Sequence, residues 1–276
     1  MLSPNSAPIG VFDSGYGGLT VLKQLLAHLP HYDYLYLGDN ARTPYGSRSF
    51  ETVYQFTLES VRYLFAQGCP LVILACNTAS AKALRTIQQQ DLAAIDSTRR
   101  VLGVIRPSVE AVGALTQTGH IGVLGTSGTV SSQSYCIEIH KLFPKIQVFQ
   151  QACPMWVPLV ENNEYQSLGA DFFIERDIQQ LFAQSSQIDT LILACTHYPL
   201  LIEKIKKYVP QGVRILAQGE IVAQSLADYL QRHPDMAQRC SQNGQRHFLT
   251  TDNVELFNQQ AAVFLGTSVQ AIKIHT

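Results

Sequence analysis

Apolar residues along this chain fall into short unbroken runs, separated by polar, glycine-containing loops and by amphipathic stretches. Leu71-Val72-Ile73-Leu74 is the clearest run and reads as a strand buried on both faces, the form found inside parallel sheets. It breaks into Ala75-Cys76-Asn77-Thr78-Ala79-Ser80, whose short polar side chains suit the start of a helix. Leu191-Ile192-Leu193-Ala194-Cys195-Thr196-His197 repeats the pattern 119 residues downstream. Further strands are expected at Ile9–Phe12, Asp33–Leu37, Val101–Ile105, His120–Leu124, Ile146–Phe149, Val213–Leu216 and Gln245–Thr250.

Between them the apolar period lengthens to that of helices. Leu22, Leu25, Leu26 and Leu29 share one face, with Pro30 as a stop. Val53, Thr57, Val61, Leu64 and Phe65 do so within Ser49–Gln67, which Gly68 closes. Helices also follow from about Ala79 to Gln90, around Leu168–Phe182, and over Val222–Leu230 and Asp252–Phe264. The polar segment Asp91–Arg100 reads as a linker, and Val101–Ile105 as the opening of a second strand–helix series broken by Pro107.

Strands alternating with helices predict an α/β protein with mainly parallel sheets. The repeated strand–cysteine unit predicts two similar domains, each a parallel sheet flanked by helices, with the site in the cleft between them. The first is expected over 1–105 plus 216–276 and carries Cys76; the second, 106–215, carries Cys195.

Composition narrows the setting. Hydrophobic residues make up 46%, ordinary for a globular chain, while charged residues reach only 15%, with glutamines in their place. A net charge of −1 offers nothing to nucleic acid or anionic membrane. Apolar runs have strand length, and Met1–Gly10 lacks the pattern of a secretory leader. Six cysteines without Cys-x-x-Cys or zinc-type spacing fit reduced thiols in the cytoplasm and no metal site.

Either strand-end cysteine alone reads as a structural core thiol. Two in equivalent places read as two halves of one site. A redox disulfide pair is usually closer in sequence, and a metal would want more soft or imidazole ligands. Covalent catalysis leaves the second thiol unexplained. Two like groups facing each other instead suit proton transfer on both faces of a carbon, which is racemisation or epimerisation. Asp13 is placed to tune Cys76, and His197 with Glu161 to tune Cys195. Ser14, Asn77, Thr78, Thr129 and Thr196 supply neutral donors for carboxylates. The loop Asp13-Ser14-Gly15-Tyr16-Gly17-Gly18 has a competing reading as a phosphate loop, but neither Lys-Ser/Thr nor the dinucleotide spacing follows.

Phe-Asp-Ser-Gly-x-Gly-Gly-Leu-Thr at 12–20, Gly-Asp-Asn-Ala-Arg-Thr-Pro-Tyr-Gly at 38–46 and Ala-Cys-Asn-Thr-Ala-Ser at 75–80 resemble the glutamate racemase family. So do Val-Pro-Leu-Val-Glu at 157–161 and Cys-Thr-His-Tyr-Pro-Leu at 195–200. The resemblance implies a cofactor-independent enzyme interconverting L- and D-glutamate for peptidoglycan. It implies Cys76 and Cys195 as the two bases, assisted by Asp13, Glu161 and His197. It further implies Ser14, Tyr45, Gly46, Asn77, Thr78, Thr129 and Thr196, with Asp13 and His197, around the substrate, and allows a homodimer. Aspartate racemase is the nearest alternative, but its second motif tends to read Cys-Thr-Glu and its first to end in Ala-His. A gyrase-inhibitor-like, protein-binding role is the non-enzymatic alternative, with no basic patch or acidic tail to favour it. Arg106 and Ala217 depart from the family pattern, each standing where an acid is common.

Overall fold

Ten strands build two separate sheets, each parallel throughout, in the computed structural model, which describes residues 7–275. Residues 1–6, part of the stretch without a leader pattern, lie outside the described residues. The strands are β1 (Ile9–Asp13), β2 (Tyr34–Gly38), β3 (Leu71–Leu74), β4 (Arg100–Gly103) and β5 (His120–Gly125). They continue as β6 (Gln147–Ala152), β7 (Thr190–Ala194), β8 (Arg214–Ala217), β9 (Arg246–Thr250) and β10 (Ala271–Lys273). The first sheet has the order β10-β9-β2-β1-β3-β4, the second β6-β5-β7-β8.

The unbroken apolar strands are central, as their composition requires. Every residue of β1, β2, β3 and β7 is buried, because helices cover both faces of a parallel sheet. The edge strand β6 instead carries Gln150 and Gln151 and is only half-buried. One large apolar cluster links the lobes: it includes Ile9 and Val11 of the first sheet, Leu191 and Leu193 of the second, and Trp156 and Tyr198.

Helices start and stop where local chemistry directs. Ser49 caps Phe50–Ala66 by accepting the Thr52 N–H at 3.1 Å, and Gly68 takes φ 92° to leave that helix. The polar stretch after it corrects the sequence expectation. Asp91–Arg100 is no linker: a π-helical turn (Ile87–Asp91) runs into the helix Leu92–Asp96. Its polar side chains, and Gln88 in the turn just before it, are used for anchoring. Tyr54 donates to Asp91 at 2.9 Å, Gln88 to the Val101 carbonyl at 2.7 Å and Arg99 to the Cys69 carbonyl at 2.9 Å. Nor does Val101 open a new series, since β4 pairs with β3 at the edge of the first sheet. Pro107 breaks nothing. It is the third residue of the helix Ile105–Val112, in the first turn, where a missing N–H costs no bond. Short helices at Ser134–Leu142 and Pro234–Arg239, and the strand β10, have no counterpart in the pattern reading.

After β8 the helix Gln218–Arg232 packs against Leu19–His28, and β9 inserts beside β2 to complete the first sheet. Among the described residues no helix is long and apolar enough to cross a membrane.

Candidate active site

The two sheets face each other with the carboxyl ends of β1, β3, β5 and β7 around one cavity of about 100 Å³. Cys76 follows β3 and Cys195 follows β7, so each thiol is contributed by a different sheet. Ser14, Tyr45, Gly46, Asn77, Thr78, Thr196 and His197 line the same space. Asp13, Glu161 and Thr129 stand one contact behind it: Asp13 against Thr196, Glu161 against His197, and Thr129 against Thr126 and Thr78. A larger groove of about 580 Å³ opens beside Ser80, Leu102 and Arg106, but neither Cys76 nor Cys195 reaches it.

On the first side, Cys76 is the N-cap of the helix Asn77–Lys82 and its sulfur accepts the Ala79 N–H at 3.5 Å. The thiol lies 3.5 Å from the Ser14 hydroxyl as donor. Burial pushes the Cys76 thiol up to about 12, and the neighbouring Asp13 adds to the shift. It is therefore a protonated thiol at neutral pH.

Asp13 is fully buried and joins the two halves. Its carboxylate accepts the Gly15 N–H at 2.9 Å and the Thr196 hydroxyl at 3.5 Å. Burial raises its pKa, opposed by His197 and by the N–H groups of Gly15 and Gly18. Asp13 neighbours Cys76, as the sequence suggests, and its side-chain hydrogen bond crosses to the loop carrying Cys195.

On the second side, Cys195 Sγ is 3.9 Å from His197 Nδ1, and His197 Nε2 is 3.1 Å from Glu161 Oε1. Burial alone would keep the ring neutral. The Cys195 sulfur and the Glu161 carboxylate outweigh it and raise His197 to about 10. Phe264, from the C-terminal helix Val254–Leu265, meets the imidazole edge-on at 5.3 Å between ring centroids. The same helix sends Gln260 to the Glu161 carbonyl at 3.4 Å.

Tyr45 reaches the cavity on a loop that Asp39 holds. Buried Asp39 accepts the Tyr45 hydroxyl, Arg42 Nε at 2.7 Å and the Thr251 hydroxyl at 3.0 Å. The tip of this loop touches the opposite lobe, where the Gly46 carbonyl accepts the Gly128 N–H at 2.7 Å. Thr78 and Thr126 meet across the same boundary at 3.0 Å between hydroxyl oxygens.

Several residues of this site carried no weight in the sequence reading. Thr126, the cap of Ser127–Ser131, lines the cavity in front of Thr129, and a hydroxyl just before a helix was its signal. Cys153 lines it too. Its Ala152-Cys153 pair ends β6 as Ala75-Cys76 and Ala194-Cys195 end theirs, but the expected strand Ile146–Phe149 stops before Gln150 and Gln151 and so short of that pair. Among the described residues no group of three His, Cys, Asp or Glu is placed to hold a metal ion.

Residues 17–226 match the model of the Asp/Glu/hydantoin racemase family. A glutamate racemase of Geobacter metallireducens is 38% identical over 262 residues, covering 94% of this chain and 92% of that one. The crystal structure of a glutamate racemase isoform from Bacillus anthracis superposes with a TM-score of 0.89 at 35% identity, covering 98% of each chain. The Francisella tularensis glutamate racemase, crystallised with D-glutamate, gives 0.87 at 32% identity over 99% of this chain and 98% of that one.

Proposed function

Because the chain belongs to the glutamate racemase family of isomerases, we propose that it interconverts L- and D-glutamate by proton transfer between Cys76 and Cys195 without a cofactor. The observation that carries the mechanism is the arrival of both thiols at one cavity from the ends of two different sheets. A substrate α-carbon seated between them meets one sulfur on each face.

The proton balance follows. A thiolate on one side takes the α-proton and becomes a thiol; the electron pair stays on the carbon. The opposite thiol then gives its proton to the other face and is left as the thiolate. In the free site Cys76 is the protonated partner, while the charged His197 ring stands beside Cys195. The thiol on the side of the α-proton acts as base and the opposite one as acid for one enantiomer, and the roles exchange for the other. Asp13, Glu161 and His197 set the charge around the thiols. Ser14, Tyr45, Gly46, Asn77, Thr78 and Thr196 hold the carboxylates through neutral donors, with Thr129 one contact behind them. The lobe of 1–105 plus 216–276 and that of 106–215 act as the two jaws. The product serves peptidoglycan synthesis in the cytoplasm.

The test uses heavy water. D-glutamate formed early from the L-isomer should carry deuterium while the remaining L-glutamate does not, because the delivering thiol has exchanged with solvent. Serine at Cys76 or Cys195 should cut racemisation by about 10²–10⁴-fold, the usual worth of a positioned acid or base. Mostly unlabelled early product, or near-normal racemisation by Cys195→Ser, overturns the two-thiol reading. Faster turnover of aspartate than of glutamate overturns the substrate.

A further inference from the structure

Asn77 lines the cavity, yet its side-chain amide is held from behind by residues far away in the chain. Asn77 Nδ2 donates to Gln218 Oε1 at 2.6 Å, and Asn77 Oδ1 accepts the Tyr135 hydroxyl at 2.7 Å. Gln218 Nε2 donates to Tyr135 at 2.7 Å and to Ser108 Oγ at 2.6 Å. Ser108 in turn donates to the Val104 carbonyl at 2.8 Å. The side chains are all buried, and they come from the starts of three helices, Ile105–Val112, Ser134–Leu142 and Gln218–Arg232, and from the helix after Cys76.

Each link forces the next. A carbonyl can only accept, so the single Ser108 hydroxyl hydrogen goes to Val104. The Gln218 group facing Ser108 must then be its NH₂, which turns Oε1 toward Asn77. Asn77 must answer with N–H, and its own oxygen then takes the Tyr135 hydrogen. One N–H hydrogen of Asn77 is left for the cavity. The closed ring of Asn77, Gln218 and Tyr135 thus fixes which end of the amide a carboxylate meets.

We infer that Gln218, with Tyr135, is a positioning residue for glutamate: it locks the Asn77 amide with a donor, rather than its carbonyl oxygen, toward the substrate carboxylate. Neither residue touches the cavity. Without the lock the amide is free to turn over and set an oxygen against a carboxylate, a repulsion in a buried site.

The inference rests on the glutamate reading, so it is tested both with and without substrate. In Gln218→Ala and in Tyr135→Phe, KM for glutamate should rise about tenfold while kcat changes less than threefold, since a ground-state contact is what weakens. Tyr135→Phe keeps the ring packing and carries the same test if Gln218→Ala does not fold. In an Asn77→Ala background the Gln218→Ala change should add less than twofold, because its route to the substrate is gone. A merely structural role would multiply the two effects. Without substrate, the Asn77 side-chain NH₂ protons should exchange slowly with solvent in the wild-type protein and rapidly in Tyr135→Phe. Unchanged KM in the folded variants, full multiplicativity with Asn77→Ala, or unchanged NH₂ exchange overturns the inference. The exchange result stands even if the substrate proves not to be glutamate.

Discussion

A Cβ built on Gly17 would lie 2.4 Å from Nδ1 of His197 and 2.2 Å from Oγ1 of Thr196. The glycine-rich loop after β1 is therefore a packing surface for the Cys195 side of the site. Gly17 does not take a left-handed conformation, so alanine fits its backbone and only the side-chain collision matters. Gly17→Ala should leave the far-UV circular dichroism intact and lower kcat/KM by about a hundredfold, the cost of displacing a catalytic group by roughly 1 Å. Activity within threefold of wild type would show that His197 tolerates the shift.

His197 also ties stability to pH. Its folded-state pKa of about 10 lies above the unfolded value of 6.5, so the folded protein holds this proton more tightly. That stabilisation is complete below pH 6.5 and is lost as pH rises toward 10. Removing the Glu161 carboxylate in Glu161→Gln takes away one of the two groups that raise the ring, so the loss should still begin near pH 6.5 but end at lower pH and be smaller in total. Urea midpoints between pH 6 and 10 for both proteins measure this. Buried thiols such as Cys76 contribute a falling background at high pH in both, which the comparison removes. Parallel curves would exclude the His197–Glu161 pair as the source.

Alkylation reads the state of Cys76. With its thiol pushed up to about 12, the nucleophilic thiolate is scarce at neutral pH. In a Cys195→Ser background, iodoacetamide labelling of Cys76, read by peptide mass, should keep accelerating about tenfold per pH unit from 8 to 11. A plateau near pH 9, where an ordinary thiol is already ionised, would contradict the raised value.

Arg106 stands where the family commonly has an acid, and it points away from the site. Half-exposed, it pairs with Glu110 at 2.7 Å and with Glu138 at 3.6 Å. Arg106→Ala should leave KM for glutamate within threefold and cost less than about 1 kcal/mol of stability, as exposed ion pairs do. A hundredfold rise in KM would place Arg106 in substrate binding after all.

What the sequence made legible follows burial. Strands covered on both faces, such as β1, β3 and β7, announce themselves as apolar runs, and their ends deliver Asp13, Cys76 and Cys195 to one place. The three-residue strand β10 did not show, and the expected strand Ile146–Phe149 stops short of the end of β6 because Gln150 and Gln151 interrupt its apolar run. Hence Cys153 went unnoticed, although its local pattern matches that of the other two. The segment Asp91–Arg100 misled because its polar side chains bond to protein rather than to water. Gln218 and Tyr135 lie 141 and 58 positions from Asn77, and no local pattern signals a contact made only when three helices converge.

The two sheets differ in how the ribosome delivers them. All strands of the second sheet lie between residues 120 and 217, an unbroken stretch of nascent chain. The first sheet receives β1 to β4 at the outset, but β2 gains its second neighbour only when residues 246–250 have been made. During synthesis β2 is thus left with an open edge while the whole of the other lobe emerges. That exposed edge, rather than the finished molecule, is where pairing with a second chain has its opportunity, and where a chaperone would have to act.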